Sequence, residues 1–165
     1  DMISIVNLNG EAACRRSTSG GLVVLGTHMI KSRSSTQNIT ALSSGEAEYY
    51  AVVKGASHGL GVRRVLENFK TEKSQGYPVD KEDASAAKGI ASRRGLGKLK
   101  HIDIKELWVQ EKVASEDIKI TKVPGTENLA DALTKYCEQK VLEYHMEHTH
   151  QEIRVSTHHL APPLE

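Results

Sequence analysis

Apolar and β-branched residues are concentrated in two segments of the first thirty positions of the chain. The segments 3–8 and 21–30 are rich in Ile, Val and Leu, and the turn-prone residues 17–20 separate them, so the pattern predicts a β-hairpin. Apolar and polar residues alternate again over 36–42, which predicts a third strand. The amino-terminal part is therefore expected to form an antiparallel meander.

A long helix is predicted to begin directly after Ser43. Ser43 and Glu46 have the spacing of a capping box, in which each side chain accepts a hydrogen bond from a backbone N–H of the first turn. The expected buried face is small at its amino-terminal end, as close packing on a sheet requires, and comprises Ala47, Ala51, Gly55, His58, Val62, Leu66 and Phe69. His58 is accordingly expected to be a core histidine rather than a metal ligand.

The middle of the chain has the least regular pattern. Residues 76–82 occupy the place of a fourth strand, although Pro78 cannot donate to a ladder and the run 80–82 is polar for a central strand. Residues 84–92 fit a short helix. Asp103 and Glu106 then repeat the capping arrangement, which predicts a further helix that ends near residue 115. Its shared apolar face is expected to comprise Ile104, Leu107 and Trp108.

The remaining pattern predicts one more strand and one more helix. Residues 118–123 alternate as a strand with one wet face, and a last helix is predicted from 128 to 135 with a continuation to about 148. The end of the chain, from 156 to 165, is expected to be frayed. Strands alternate with helices after the initial meander, so the expected fold class is α/β in layers.

Composition places the chain among soluble globular proteins, with 38% hydrophobic and 26% charged residues in 165. No run approaches the ~20 apolar residues of a membrane span, and the amino-terminal residues do not resemble a secretory signal, so an intracellular location is expected. Cys14 and Cys137 lie far apart in the sequence and are expected to be free thiols.

A net charge of +1 gives no overall signature of a nucleic-acid partner, so such a partner would have to be held by local clusters. One cluster is Arg15-Arg16, and another begins at Arg93-Arg94 and continues to Lys98, Lys100 and His101. By themselves these clusters fit solvated loops equally well. His145, His148 and His150 have helical spacing and could form a metal cluster, but a solvated tail is the expectation.

Several sequence blocks in one order resemble the ribonuclease H domain of copia-type retrotransposons. The blocks are Arg15-Arg16-Ser17-Thr18-Ser19-Gly20, Ala41-Leu42-Ser43-Ser44-Gly45-Glu46-Ala47-Glu48-Tyr49, Lys100-His101-Ile102-Asp103-Ile104, Val123-Pro124 and Leu129-Ala130-Asp131-Ala132-Leu133-Thr134-Lys135. The resemblance implies a ribonuclease H-like fold, with a mixed five-stranded sheet whose first three strands are antiparallel and which helices flank. The domain would span residues 1–135, and 136–165 would form a helical extension and a disordered tail.

The resemblance also implies a function and its residues. The family cuts the RNA strand of an RNA–DNA hybrid with two Mg²⁺ or Mn²⁺ ions, and the reverse transcriptase lies upstream in the same polyprotein. Glu48, Asp83 and Asp131 would be three of the four metal-binding carboxylates, although each alone fits a structural role near a helix N-terminus. The nucleic-acid-binding residues would be Arg15, Arg16, Ser17, Arg93, Arg94, Lys100 and His101 of a monomeric domain.

The chain departs from the family at the fourth carboxylate. With Gly10 matched to the glycine of the family's Asp-x-Asp-Trp-Ala-Gly block, the two aspartate positions fall on Ile5 and Asn7. Because Ile5 cannot ligate a cation, weak metal binding and little or no cleavage are expected. The alternative is a non-catalytic nucleic-acid-binding or structural remnant of the same fold. The order of the blocks argues against a third reading, an integrase-type transposase.

Overall fold

A computed structural model of the protein describes residues 2–10, 16–69, 79–82, 85–97 and 102–152. The elements in chain order are β1 (Met2–Gly10), β2 (Ser17–Leu25), β3 (His28–Thr36), α1 (Ser44–Phe69), β4 (Val79–Glu82), α2 (Ser85–Ala91), α3 (Trp108–Ala114), β5 (Lys119–Lys122) and α4 (Gln139–His148). Short 3-10 helices lie at Ile104–Leu107, Gly125–Glu127 and Asp131–Leu133. Among the helices in these ranges, none combines the length and apolar character needed to cross a membrane.

The strands pair in the order β3-β2-β1-β4-β5, with β1 in the centre. β1 runs antiparallel to β2 and parallel to β4, and its register joins Ile5 to Leu22 on one side and to Lys81 on the other. β3 is antiparallel to β2, and β5 is parallel to β4. A two-residue turn joins β2 to β3, whereas helices lie in the chain between the parallel strands.

The turn between β2 and β3 lies inside the run that was expected to be one strand. Gly26 has a φ of +64° and, together with Thr27, reverses the chain. A positive φ costs glycine little because it has no Cβ, and such residues suit the tight turns of hairpins. The apolar run over 21–30 is therefore the end of β2, a turn and the start of β3.

The predicted strand over 36–42 is wrong, because β3 already ends at Thr36. Gln37 accounts for this end. Its buried side-chain amide donates to Ser19 Oγ and to the Ala47 carbonyl, both at 2.8 Å, which links the end of the meander to the start of α1. The chain thus leaves the sheet at Gln37 and runs toward the helix.

The predicted cap of α1 is confirmed, with one difference in its bonding. Ser43 Oγ accepts a hydrogen bond from the Glu46 N–H at 3.2 Å, as expected of the N-cap residue. Glu46 reaches one residue further back than predicted, since its Oε2 accepts from the Leu42 N–H at 2.8 Å. The Glu46 side chain is therefore a buried part of the helix start, with an exposed fraction of 1%.

The predicted buried face of α1 is confirmed only in its first half. Ala47, Ala51 and Gly55 are buried, but Phe69 at the far end has an exposed fraction of 82%. The main core lies under the first four turns of α1, and residues of α2, α3 and β5 also contribute to it. Its buried residues are Tyr49, Val52, Val53, Ala56, Ala87, Ile90, Ala91, Ile102, Val109, Ile118 and Ile120. The carboxyl-terminal turns of α1 extend beyond this core.

The elements predicted after α1 are largely confirmed, with shorter bounds. β4 is described from Val79 and α2 from Ser85, and the earlier parts of both predicted segments lie outside the described residues. Asp103 caps the next helix, as its Oδ1 accepts from the Lys105 N–H at 3.1 Å, but the first turn is a 3-10 helix. Ile104 does not share the buried face with Leu107 and Trp108, because its exposed fraction is 74%.

The predicted continuous helix from 128 to about 148 is wrong. It is a single 3-10 turn at Asp131–Leu133, followed by an irregular segment and the separate helix α4. Side-chain hydrogen bonds to the local backbone compete with helix formation here. Asn128 Oδ1 accepts from the Ala130 N–H at 3.1 Å, and the Thr134 hydroxyl donates to the Asp131 carbonyl at 3.0 Å. The expected frayed tail lies outside the described residues.

Candidate active site

Glu48 lies near the start of α1, where this helix packs across β1 and β2. The cap at Ser43 fixes the first turn, and the Glu48 side chain is half-buried. Gly45 allows α2 to begin beside this turn, because a Cβ on Gly45 would lie 2.9 Å from Ala86 Cβ. The sequence thus brings the beginnings of two helices together around position 48.

Two tyrosines follow Glu48 and brace this end of α1. The Tyr49 hydroxyl donates to the Glu106 carbonyl at 2.8 Å, and burial raises the pKa of this phenol to about 12. Burial and the neighbouring Glu46 carboxylate likewise raise the pKa of Tyr50 to about 12. Both phenols therefore stay protonated at neutral pH, and their role here is to donate hydrogen bonds.

Asp131 is presented by a tight local structure. Its N–H donates to the Asn128 carbonyl at 3.0 Å, and the 3-10 turn Asp131–Leu133 begins at this residue. Its carboxylate is paired with Lys135, whose Nζ lies 2.6 Å from Oδ2, and the Asp131 side chain is 22% exposed. The charge of this carboxylate is therefore already partly balanced within its own segment.

Gly20 brings the Asp131 segment against the sheet beside β1. A Cβ at this position would lie 2.6 Å from Thr134 Cγ2 and 2.9 Å from the Ala130 carbonyl oxygen, so only glycine permits the observed approach. The register pairs Gly20 with Asn7 of β1. The glycine of the Arg-Arg-Ser-Thr-Ser-Gly block thus brings the Asp131 turn next to the strand that carries the two predicted aspartate positions.

Of the remaining predicted positions, the structure describes Ile5 and Asn7 but not Asp83. Asp83 lies outside the described residues, in the interval between β4, which ends at Glu82, and α2, which starts at Ser85. Ile5 is a central residue of β1, and Asn7 lies two residues further along the strand direction that β1 shares with β4. The meeting of Glu48, Asp83 and Asp131 in one site therefore stays a prediction.

The first predicted nucleic-acid cluster is described in part. Arg16 is exposed, and Ser17 begins β2, where its carbonyl accepts from the Gln37 N–H at 2.7 Å. Arg15 lies outside the described residues. Ser17 thus has a structural role at the open end of the meander, next to an exposed arginine.

In the second predicted cluster, Arg93 is folded back onto its own loop. Its Nη2 donates to the Leu96 carbonyl at 2.7 Å, and its guanidinium covers Gly97, where a Cβ would lie 2.8 Å from Arg93 Cζ. Arg94 is exposed instead and lines an open groove. Lys100 and His101 lie outside the described residues. Arg94 is thus better placed than Arg93 to contact a ligand.

The groove beside Arg94 contains residues that the sequence did not single out for binding. Trp108 and Lys105 line it together with the exposed Ile104. A groove that combines an aromatic ring with cationic side chains is a usual arrangement for stacking a base and holding a phosphate. The helical periodicity placed Trp108 on the buried face of a helix, so it gave no sign that this side chain is half-exposed.

Two histidines of α4 and one that follows it contact carbonyl groups or another ring. His145 is buried, and its Nδ1 lies 2.7 Å from the Leu129 carbonyl, while His148 Nδ1 lies 2.8 Å from the Tyr144 carbonyl. His150 stacks on His28 with ring centroids 5.4 Å apart. Within the described ranges, no three side chains of the metal-binding types come together.

The described thiol is free, as predicted for it. Cys137 is half-buried and forms no disulfide. Cys14 lies outside the described residues.

Comparisons with known proteins identify relatives among transposon polyproteins. The retrovirus-related Pol polyprotein from transposon TNT 1-94 of Nicotiana tabacum is 29% identical over 137 residues, which are 83% of this chain and 10% of that protein. The corresponding polyprotein from transposon RE2 of Arabidopsis thaliana is 29% identical over 119 residues, which are 72% of this chain and 8% of that protein. The chain thus spans about a tenth of the length of these relatives. No protein-family model matches the sequence.

Solved structures show the same fold at low sequence identity. LC11-RNase H1, solved in complex with an RNA/DNA hybrid, superposes with a TM-score of 0.51 at 12% identity, over 86% of this chain and 99% of that one. The N-terminal RNase H domain of Rv2228c from Mycobacterium tuberculosis superposes with a TM-score of 0.52 at 17% identity, over 89% and 98%. The fold is therefore a ribonuclease H-like α/β fold. The sequence relatives are retrovirus-related Pol polyproteins of transposons and the structural neighbours are RNase H domains, and both agree with the resemblance that the sequence motifs indicated.

Proposed function

We propose that this domain binds an RNA–DNA hybrid as part of a retrotransposon polyprotein, and that its own cleavage of the RNA strand is weak or absent. The observation that carries the proposal is the residue at the centre of the sheet. Ile5 pairs with both neighbouring strands, at the position where the family has a metal-binding aspartate. An aliphatic side chain supplies no ligand for a cation.

The carboxylates that remain at the predicted site do not suit two-ion catalysis. Two dications about 4 Å apart need several anionic oxygen ligands to offset their mutual repulsion. Glu48 and Asp131 retain their carboxylates and Asp83 is present in the sequence, but Lys135 already pairs with Asp131 at 2.6 Å. With Ile5 at the fourth position, this donor set does not fit two Mg²⁺ or Mn²⁺ ions. We expect weak binding of a metal ion at most.

Partners and location follow from the family in the same proposal. The relatives are long polyproteins, so we propose that a reverse transcriptase domain precedes this one and supplies the hybrid. The domain is proposed to act as a monomer inside the cell. The boundary near residue 135 is also part of the proposal, although His145 ties α4 back to the Leu129 carbonyl. Arg16 and the groove beside Arg94 are the proposed contacts to the hybrid.

A second function has support from the same residues. A domain that keeps its fold and its cationic groove, but not its chemistry, would act as a nucleic-acid-binding or structural module. The paired Asp131 and the absent carboxylate at position 5 favour this alternative. Cleavage and binding must therefore be measured separately.

The deciding experiment compares four proteins on a labelled RNA–DNA hybrid with Mg²⁺ or Mn²⁺. They are the unaltered chain, Glu48→Gln, Ile5→Asp, and Ile5→Asp with Asn7→Asp. We expect the unaltered chain to bind the hybrid with little cleavage and an aspartate-restored chain to cut it. A fifth protein, in which Glu48→Gln is added to the restored chain, should not cut the hybrid, because this substitution removes an anionic ligand.

Other outcomes would contradict parts of the proposal. Cleavage by the unaltered chain that Glu48→Gln abolishes would mean that another group replaces the absent ligand. Hybrid binding without cleavage by all four proteins would favour the non-catalytic module. Absence of hybrid binding by the folded protein would overturn both functions.

A further inference from the structure

A group of cations gathers where β3 meets α1, away from the predicted carboxylates. We call it the β3–α1 basic cluster, and it comprises Lys31, Arg33, Lys54 and His58. Lys31 Nζ lies 3.1 Å from His58 Nδ1, and Arg33 Nη1 lies 2.9 Å from His58 Nε2. Lys54 Nζ lies 3.4 Å from Ser35 Oγ. Two strand residues and two helix residues, one helical turn apart, thus converge around one imidazole.

The cluster has more hydrogen-bond donors than acceptors. Lysine and arginine side chains only donate, and a neutral imidazole can accept at one nitrogen but carries a proton on the other. Lys31 and Arg33 face opposite nitrogens of the same ring. One of the two contacts therefore sets an N–H against another donor, and an acceptor from outside the cluster would relieve this conflict.

The cluster also lacks a negative charge. Burial lowers the pKa of His58, and the charges of Lys31, Arg33 and Lys54 lower it further. Burial lowers the pKa of Arg33, and burial together with Arg33 lowers that of Lys54. Among the described residues, no aspartate or glutamate forms an ion pair with these four side chains.

The surroundings of the cluster are uncharged. Lys31, Arg33 and His58 line a small cavity together with Gly21, Leu22, Val23 and Gly55, and none of these four residues carries a charge. The cavity is too small for a phosphate, so an oxyanion would bind at the surface, in contact with the cationic groups. Cations that are partly withdrawn from water attract an anion more strongly than freely solvated ones.

We propose that the β3–α1 basic cluster binds a phosphate-type oxyanion, supplied by the backbone of a nucleic acid. An oxyanion accepts from several donors at once and offsets the positive charge. The cluster follows Glu48 along α1, and the ten residues from Glu48 to His58 correspond to about 15 Å of helix. That distance equals the rise of about four to five nucleotides of one strand. The choice of nucleic acid as the source rests on the proposed function, whereas the oxyanion chemistry does not.

The first test uses inorganic phosphate on the full chain in a phosphate-free buffer. NMR of the histidine rings follows His58 during a titration with phosphate, and we expect its resonances to move and its pKa to rise. Arg33→Gln should abolish both changes. Arg64→Gln is the matched control, because it removes an exposed arginine from the same helix and should leave the His58 response intact.

The second test measures binding of an RNA–DNA hybrid as a function of salt. Loss of one phosphate contact should weaken binding and reduce the salt slope by about 1. We expect this for Arg33→Gln and for Lys31→Gln, but not for Arg64→Gln. Circular dichroism checks the fold of each variant, and His58→Gln provides a second route if Arg33→Gln does not fold.

The two tests separate the possible sources of the oxyanion. A His58 response to phosphate with unchanged hybrid affinity in the variants would overturn the nucleic-acid source and leave free phosphate as the ligand. The same response in a chain that binds no hybrid would overturn the proposed function but keep the oxyanion site. The proposal would be overturned if phosphate caused no His58 response. It would also be overturned if polyglutamate, but not the hybrid, displaced phosphate from the cluster.

Discussion

Gly20 shows how one residue can position part of a candidate site that lies far away in the sequence. It touches Ala130, Leu133 and Thr134, and these residues surround Asp131 in the sequence. In the sequence alone, Gly20 belonged to the turn-prone run 17–20 and to the Arg-Arg-Ser-Thr-Ser-Gly block. The predicted turn at 17–20 is wrong, because these residues lie in β2. The packing role of Gly20 could not be predicted, because it depends on a segment more than a hundred residues away in the chain.

We predict that Gly20→Ala destabilises the protein by about 1–3 kcal/mol, since the added methyl group has no room and the segment must shift. The same substitution at Gly61 is the matched control. A Cβ on Gly61 meets nothing within 4 Å, and this residue lies inside α1, where alanine is favoured by about 0.5–1 kcal/mol. Urea denaturation of the three proteins measures the difference. Equal stabilities for Gly20→Ala and the unaltered chain would refute the packing role.

The predictability of single residues followed how local their interactions are. Ser43 and Glu46 were assigned correctly from spacing, because a capping box lies within four residues of the chain. From the sequence, Arg93 was expected to contact nucleic acid and His58 to be a core histidine. Their contacts in the structure differ from both expectations. Arg93 binds its own loop, and His58 belongs to a cluster shared with β3. Alternation of Lys31 and Arg33 on one face of a strand was the available sign of that cluster.

At the scale of elements, Gln110 of α3 holds the loop that follows α2. Its buried amide accepts from the Gly95 N–H at 2.8 Å and donates to the carbonyls of Ile90 and Gly95 at 2.9 and 3.1 Å. Ile90 lies in the last turn of α2, where carbonyl groups lack helical partners. One side chain therefore caps a helix and fixes the loop that presents Arg94.

Gln110→Leu keeps a similar volume but leaves these three backbone groups unpaired, so we expect a loss of about 2 kcal/mol in the free energy of unfolding. The freed loop should also be cut faster by trypsin after Arg94. Gln139→Leu is the control, because Gln139 is exposed and its only described side-chain bond is to Glu143. If stability falls without faster cleavage, Gln110 contributes to the core but does not restrain the loop.

The elements that sequence patterns missed are those in which side chains override the backbone pattern. The α/β order, the start of α1 and strand β5 followed from periodicity and capping. The break between the Asp131 turn and α4 did not, because Asn128 and Thr134 bond to nearby backbone groups. The end of β3 at Thr36 depends on the Gln37 amide, whose partners lie on two other elements.

At the scale of the whole molecule, stability should depend on pH through His58. Its pKa is lowered in the folded state, so the unfolded chain binds more protons between that value and the ordinary pKa of about 6.5. The free energy of unfolding should therefore fall as the pH drops below about 6.5. His58→Gln should flatten this dependence relative to the unaltered chain in urea titrations at pH 7.5 and 5.5. An identical slope in both proteins would show that other histidines dominate.

The whole fold was more predictable than the site, for a physical reason. Layers of strands and helices follow from periodicities that extend over many residues, and no particular side chain is needed to form them. The proposed site would require carboxylates from separate elements, and the resemblance puts one of its four positions at Ile5. Motif order identified Glu48 and Asp131 as candidates, but geometry alone establishes that Asp131 is paired with Lys135.

The central place of β1 also governs how the nascent chain must fold. Val79, the parallel partner of Ile3, leaves the ribosome only after three strands and the whole of α1 have been made. Until then one edge of β1 has no neighbour, and unpaired strand edges template association between chains. A chain interrupted within α1 would therefore release a fragment in which one edge of β1 is unpaired, whereas β4 covers this edge in the complete sheet.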